Sequence, residues 1–265
     1  MQSLRLHNLG SYKRVWVIGA VRGRANALNT VSKKILNKQK LLDRLVFTGN
    51  IVGPSSKGEN FSLKSVDVAL LLRSNFISNY SSDVNDVVFL RGQFEELLDK
   101  SRQLHISPNP KELVEWMYSR GLDSILSAYG ISSGLLKNAA KDGASALSRT
   151  SVRIHEALVK QSGHYKYISA LKRLAYNDDR SVLMVSAGLA KDRPLEAQSD
   201  ELWWGGGFSN LDEPYGITRR FIRGLDPEGK GLASGKYGIT LDSGDKGVFA
   251  ALFSSNGNLL ETIQG

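Results

Sequence analysis

The sequence predicts a mixed α/β protein: two stacked sheets flanked by helices. Three observations carry this reading. Roughly the first hundred residues alternate short β-branched runs with amphipathic stretches in the order β-α-β-α-β. The stretch from about 108 to 173 reads as helix. The last third turns to short strands and ends in a hairpin signal.

In chain order, a strand over 15–18 (VWVI) runs into a loop with Gly19 and Gly23, then a helix over about 25–37. Around SKKILNKQKLLDR, Ile35, Leu36, Leu41, Leu42 and Leu45 are spaced like one helix face, with the lysines on the other. A strand over 44–48 ends at Gly49, and the loop NIVGPSSKGEN leads into a helix through SLKSVDVALLLRSN. A strand over 86–90 ends at Gly92, where a helix begins with FEELLDKSRQL. This alternation favours a parallel sheet with helices on its faces. The segment NPKELVEWMYSRGLDSILSAYG reads as one helix, with Asn109 before Pro110 at its start and Gly130 as its stop. Two or three shorter helices follow to about 176, so a helical insertion occupies about 100–175. Strands are then expected in SVLMVSAG, RRFIRG, YGITLDSG, GVFAALFSS and LLETIQ. The runs 247–254 and 258–264, joined by SNGN, make a hairpin, because Asn and Gly tolerate the positive φ such turns need. A second, largely antiparallel sheet is therefore expected to stack on the first. There is no internal repeat, and the chain 1–265 reads as one domain.

Composition excludes several function classes. The chain has 265 residues and no cysteine, which removes disulfides, thiolate zinc sites and cysteine nucleophiles. The longest apolar runs, VDVALLL and VWVI, fall far short of a membrane span. The N-terminal apolar run is too short for a signal peptide, so a soluble, cytoplasmic protein is expected. The net charge of +9 comes from 35 basic and 26 acidic side chains that are scattered along the chain. It indicates solvated helix faces rather than a nucleic-acid stripe.

Candidate site residues lie where strands end. Gly19-Ala20, Gly49-Asn50, Gly92-Gln93, Ser186-Ala187-Gly188 and Gly224-Leu225 each follow a predicted strand. Five strand ends at one crevice make a site assembled from loops on a rigid scaffold. The blocks GAVRG (19–23), GNIVGPSSKG (49–58), RGQFE (91–95), VSAG (185–188) and RGLDP (223–227) stand in this order. ANALNTVSKKI, LAKDRPLEAQSDELWW and GITLDSG flank them. In order, spacing and flanks the chain resembles the calcineurin-like metallophosphoesterases. The likeness is to the bacterial branch with phosphoprotein phosphatases and symmetrical diadenosine tetraphosphatases, and it covers roughly 14–264. The resemblance implies a two-sheet metallophosphoesterase-like α/β sandwich.

The resemblance also implies where two divalent metals would be held, and there the chain departs from the pattern. The matching ligand positions are Ala20, Arg22, Asn50, Gln93, Ser186 and Leu225, and the catalytic histidine position is Phe94. The phosphate-gripping arginine falls in GPSS and has no counterpart, while Arg91 and Glu95 agree with the pattern. Ala20 and Leu225 supply no lone pair, and Arg22 places a fixed positive charge where a metal would sit. His7, His105, His155 and His164 fall on no ligand position. Bland readings suit the remaining eye-catching residues. Gly205 to Gly207 lack the strand-loop-helix setting of a phosphate loop, Asp242 and Asp245 resemble a carboxylate pair with Asp245 in a turn, and SSKG and SGDKG are weak phosphate-loop look-alikes.

The expectation is a catalytically inactive pseudophosphatase with no metal and no cofactor. It would act by binding a protein partner or a phosphate-like anion, without membrane or nucleic-acid contact. Arg22, Arg91 and Arg223 are the candidate anion-binding residues, with Arg22 alternatively paired to a carboxylate such as Glu95. The competing expectation is a divergent but active metal-dependent phosphoesterase, acting on phosphoproteins or dinucleoside tetraphosphates.

Overall fold

A computed structural model describes residues 6–54, 62–80, 82–205 and 212–265. Its strands are β1 (Leu6–Asn8), β2 (Arg14–Ile18), β3 (Asp43–Phe47), β4 (Val87–Phe89), β5 (Leu174–Tyr176), β6 (Val182–Val185), β7 (Arg220–Arg223), β8 (Ala233–Ser234), β9 (Gly238–Thr240), β10 (Phe249–Ser254) and β11 (Leu259–Gln264). Its helices are α1 (Ala25–Lys38), α2 (Ser62–Asn79), α3 (Gln93–Ser101), α4 (Pro110–Ser119), α5 (Leu122–Ala128), α6 (Gly134–Asp142), α7 (Ala144–Lys160), α8 (His164–Ala170) and α9 (Glu201–Trp204).

Two sheets result, ordered β11-β10-β2-β3-β4 and β1-β5-β6-β7-β9-β8. Strand alternation builds the layers, because successive side chains point to opposite faces. In β2, Val15 and Val17 join Val46, Val88 and Phe253 against Val182, Met184 and Ile222 of the second sheet. Trp16 and Ile18 point the other way, onto Leu28, Val31 and Ile35 of α1 and Val66, Leu72 and Phe76 of α2. The helical middle joins this outer core through residues such as Met117, Leu126, Ile154 and Leu158. The far face of the second sheet, with Leu183, Val185 and Phe221, is covered by Leu189, Leu195, Leu202 and Trp203. Among the described residues, no helix is long and apolar enough to cross a membrane.

Three expectations are corrected. The helix predicted over 109–130 is two helices, α4 and α5, broken at Gly121. That residue holds a left-handed φ of +90°, and a Cβ there would lie 2.8 Å from the Pro54 ring. The helical stretch expected to reach 176 ends at Ala170, and β5 follows. β5 pairs in parallel with the distant β1 and turns back at once into a hairpin with β6, where Tyr176 faces Leu183. The second sheet is not largely antiparallel: β6, β7 and β9 run parallel. The chain between them is long enough for the crossovers that parallel pairing needs. The C-terminal hairpin β10–β11 forms as expected but joins the first sheet, antiparallel to β2. β2, β3 and β4 are parallel, as predicted.

Candidate functional site

The strand ends converge because small residues let their loops touch. A Cβ at Gly224 would lie 1.7 Å from Thr48 Oγ1, and one at Gly92 would lie 2.3 Å from the Asn50 nitrogen. The first loop is laced to the second: the Val21 and Arg22 N–H groups both donate to the Asn50 carbonyl, at 3.0 and 2.7 Å. Ala20 N–H donates to the Gly224 carbonyl at 3.0 Å, tying the first sheet to the second. Arg22 and Asn50 have φ of 51° and 55°, a left-handed conformation that costs free energy for residues with a Cβ.

Glu95 holds the second loop in place. It is fully buried and accepts N–H donors from Asn50 (2.7 Å), Ile51 (2.7 Å), Val52 (3.2 Å) and Gly92 (3.0 Å) and the Tyr167 hydroxyl (3.0 Å). Burial pushes its carboxyl up, against the pull of those donors. Burial, reinforced by the neighbouring Glu95 charge, pushes the Tyr167 hydroxyl well above its ordinary value.

Asn50, also fully buried, joins three blocks. Its Oδ1 accepts from the Phe94 N–H at 3.3 Å, and its Nδ2 donates to Ser186 Oγ at 3.1 Å. Beside it, Ala20, Ala187 and Leu225 pack as a small buried apolar cluster. Phe94 is buried with its ring against Gly53, and Gln93 opens α3 half-buried. Ser186 is buried, and its carbonyl accepts from the Leu225 N–H at 2.8 Å.

The charged residues around the strand ends form one largely buried network. Arg22 Nη2 donates to Asp242 Oδ2 at 2.6 Å, so its carboxylate is Asp242 and not Glu95. Asp242 also accepts from the Asp226 N–H at 3.0 Å. Asp226 in turn accepts from Arg223 Nη2 at 3.2 Å and from the N–H groups of Glu228 and Lys230. Arg223 Nε donates to Thr240 Oγ1 at 2.8 Å, and burial pushes this guanidinium below its ordinary value. Arg24 donates to the carbonyls of Gly244 and Gly247, and burial and the neighbouring Arg22 charge lower it too.

The structure therefore brings Arg22 and Arg223 to a linked pair of aspartates but sends Arg91 elsewhere. Arg91 Nη1 donates to Glu96 at 2.5 Å and Asp99 at 2.9 Å. Burial pushes its guanidinium down, but these two carboxylates outweigh that and raise it. It lines a cleft of about 560 Å³ beside α3, with Lys100, Asp200 and Trp203.

The histidines support packing. His164 is buried between the Tyr129 hydroxyl (2.9 Å) and Asp67 (3.1 Å). His7 contacts the Asn85 carbonyl, and burial lowers it. His105 lies beside Ser151, and His155 packs edge-on against Tyr165. Among the described residues, no three carboxylate or imidazole side chains come close enough together to hold a metal ion. SGDKG forms a turn before β10, closed by Ser243 Oγ donating to the Gly247 carbonyl at 2.6 Å. SSKG, Gly206 and Gly207 lie outside the described residues.

The sequence reading misses Asp226 and notes only Asp242 and Asp245, which resemble a carboxylate pair with Asp245 in a turn. A signal was present: an aspartate heading DPEGK is placed to accept from the backbone N–H groups of its own turn. Tyr167 gave no signal, since it lies 72 residues from the carboxylate it binds.

No protein-family model matches the chain, and no curated protein matches it. Solved structures do. One, provisionally assigned as a diadenosine tetraphosphatase, is 18% identical with a TM-score of 0.55, over 98% of each chain. A mutant of a cold-active protein tyrosine phosphatase is 13% identical with a TM-score of 0.51, over 98% of this chain and 79% of its own. What this chain shares with them is the fold, a two-sheet α/β sandwich flanked by helices.

Proposed function

We propose that this chain is a pseudophosphatase, a phosphatase-like fold that does not hydrolyse and that works by binding a protein partner. One observation carries the reading: at the strand ends, Ala20, Ala187 and Leu225 pack on each other as a buried apolar cluster. Two adjacent divalent cations need carboxylate charge between them and oxygen or nitrogen donors around them. Methyl and isobutyl groups offer neither. Asn50 engages its amide with Phe94 and Ser186, and the Arg22 guanidinium lies on Asp242. These residues do not fit a metal pair.

The same geometry favours a protein over a phosphate-like anion as the ligand. Arg22 and Arg223 are held by Asp242 and Asp226, and Arg91 by Glu96 and Asp99, so an incoming anion would have to displace a carboxylate from any of them. The test is p-nitrophenyl phosphate hydrolysis with added manganese. The expected result is no turnover above the buffer rate. Steady turnover that a chelator abolishes would overturn the reading and favour a divergent, active phosphoesterase.

A further inference from the structure

We infer that Trp116, Arg120 and Trp204 form the anchor point for an acidic segment of a partner protein, on the rim of the strand-end loops. The inference rests on the binding role proposed above and says where, and by what chemistry, that binding occurs.

The rim can be followed contact by contact. A Cβ on Gly53 would lie 3.2 Å from Arg22 Cα, so the second loop crosses directly over the first. The next residue, Pro54, has its ring against Gly121. Arg120, just before that glycine, holds its guanidinium carbon 5.6 Å from the centre of the Trp116 ring and 6.0 Å from that of Trp204. Gly205 follows Trp204 and lies against the Pro227 ring, where a Cβ would come within 2.0 Å. Pro227 follows Asp226, whose N–H donates to Asp242, the partner of Arg22. These contacts link the two tryptophans and Arg120 to the strand-end loops on both sides.

This trio has the chemistry of an anchor. The indoles meet edge to face, with centroids 5.0 Å apart and planes at 66°, so each fixes the other. Trp116 is nonetheless 39% exposed. Arg120 is exposed, and cation–π contact with both rings positions its guanidinium. That guanidinium has no hydrogen bond or ion pair among the described residues. Other arginines differ: Arg22 is held by Asp242, Arg223 by Asp226 and Arg193 by Glu201. A cation placed by aromatic rings and lacking a counterion is preorganised for a carboxylate, whose two oxygens match the planar fork. Exposed Trp beside Arg is also the residue composition that dominates binding energy at protein interfaces. The fitting partner presents Glu or Asp next to an aromatic side chain, the acid for Arg120 and the ring for the Trp116 edge. The net charge of +9 adds long-range attraction for such a segment.

The test uses the full chain and a fluorescently labelled random copolymer of glutamate and tyrosine, followed by anisotropy at low salt. Saturable binding is expected, weakened about tenfold or more in R120Q and in W116A. K13Q, which removes the same charge from an exposed site at the opposite end of β2, is expected to bind like the parent. Circular dichroism melting checks that each variant folds. No saturable binding, or equal weakening in K13Q and R120Q, overturns the inference. Tighter binding of a single-stranded thymidine oligonucleotide through Arg120 and Trp116 overturns it in favour of a nucleic acid. Hydrolysis of p-nitrophenyl phosphate, measured separately, reports on the strand ends and not on the rim. Turnover with copolymer binding intact would therefore overturn the non-hydrolytic reading alone, and absence of both would overturn the rim anchor alone.

Discussion

At Glu95 a single carboxylate fixes the loop after β3 against the start of α3. Four backbone N–H groups and one hydroxyl point at it in a fully buried place, and the positive end of α3 adds to them. A glutamine there keeps the size but presents an NH₂ to donors and loses the charge. Glu95→Gln is expected to destabilise the fold by about 3 kcal/mol in urea unfolding; a cost below about 1 kcal/mol would mean that the clamp is incidental. Asp99 gives a pH signature. Burial raises its carboxyl, but the hydrogen bond from Arg102 and the charge of Arg91 outweigh this and leave it below the ordinary value of 3.8. A depressed carboxyl contributes stability above its unfolded value, and that contribution is lost as pH falls through the folded one. The stability difference between the parent and Asp99→Asn is therefore expected to be constant above about pH 5 and to shrink below it. A difference that grows on acidification would contradict the assignment.

Among the elements, Gly224 shows how closely the two sheets approach. A methyl group there would overlap the buried Thr48 hydroxyl, which itself donates to the Ile18 carbonyl at 2.7 Å. Gly224→Ala is expected to lower stability by about 2 kcal/mol or more, measured as a shift in urea midpoint at unchanged slope; an unshifted midpoint would mean that the loops part freely. Elements that announce themselves locally were legible in the sequence. β2, α1, β3, α2 and the β10–β11 hairpin follow from periodicity, glycine stops and the Asn-Gly turn. Elements made by distant partners were not. β1 is three residues long and exists through its pairing with the distant β5, from Leu6↔Leu174 to Asn8↔Tyr176. The break at Gly121 depends on Pro54, far away in sequence, so a period-based reading runs through it. The parallel run β6-β7-β9 looked antiparallel because its strands are short, and strand length carries no direction.

Across the whole molecule, the site was legible to the extent that its backbone is. The strand-end residues Ala20, Asn50, Ser186 and Leu225 do meet, because each follows a strand whose position the layer pattern fixes. The side-chain pairings were not legible: Arg22 reaches Asp242 across 220 residues, and the Trp116–Arg120–Trp204 trio joins a helix of the middle segment to α9. No spacing rule in a single sequence encodes such contacts. The central proposal is that the chain binds no metal pair, because Ala20, Ala187 and Leu225 pack at the strand ends where donors would be needed. Elemental mass spectrometry on protein purified without chelator and dialysed against metal-free buffer tests it most directly. The account predicts less than about 0.1 manganese, iron or zinc ion per chain; about two ions per chain retained through dialysis would contradict it.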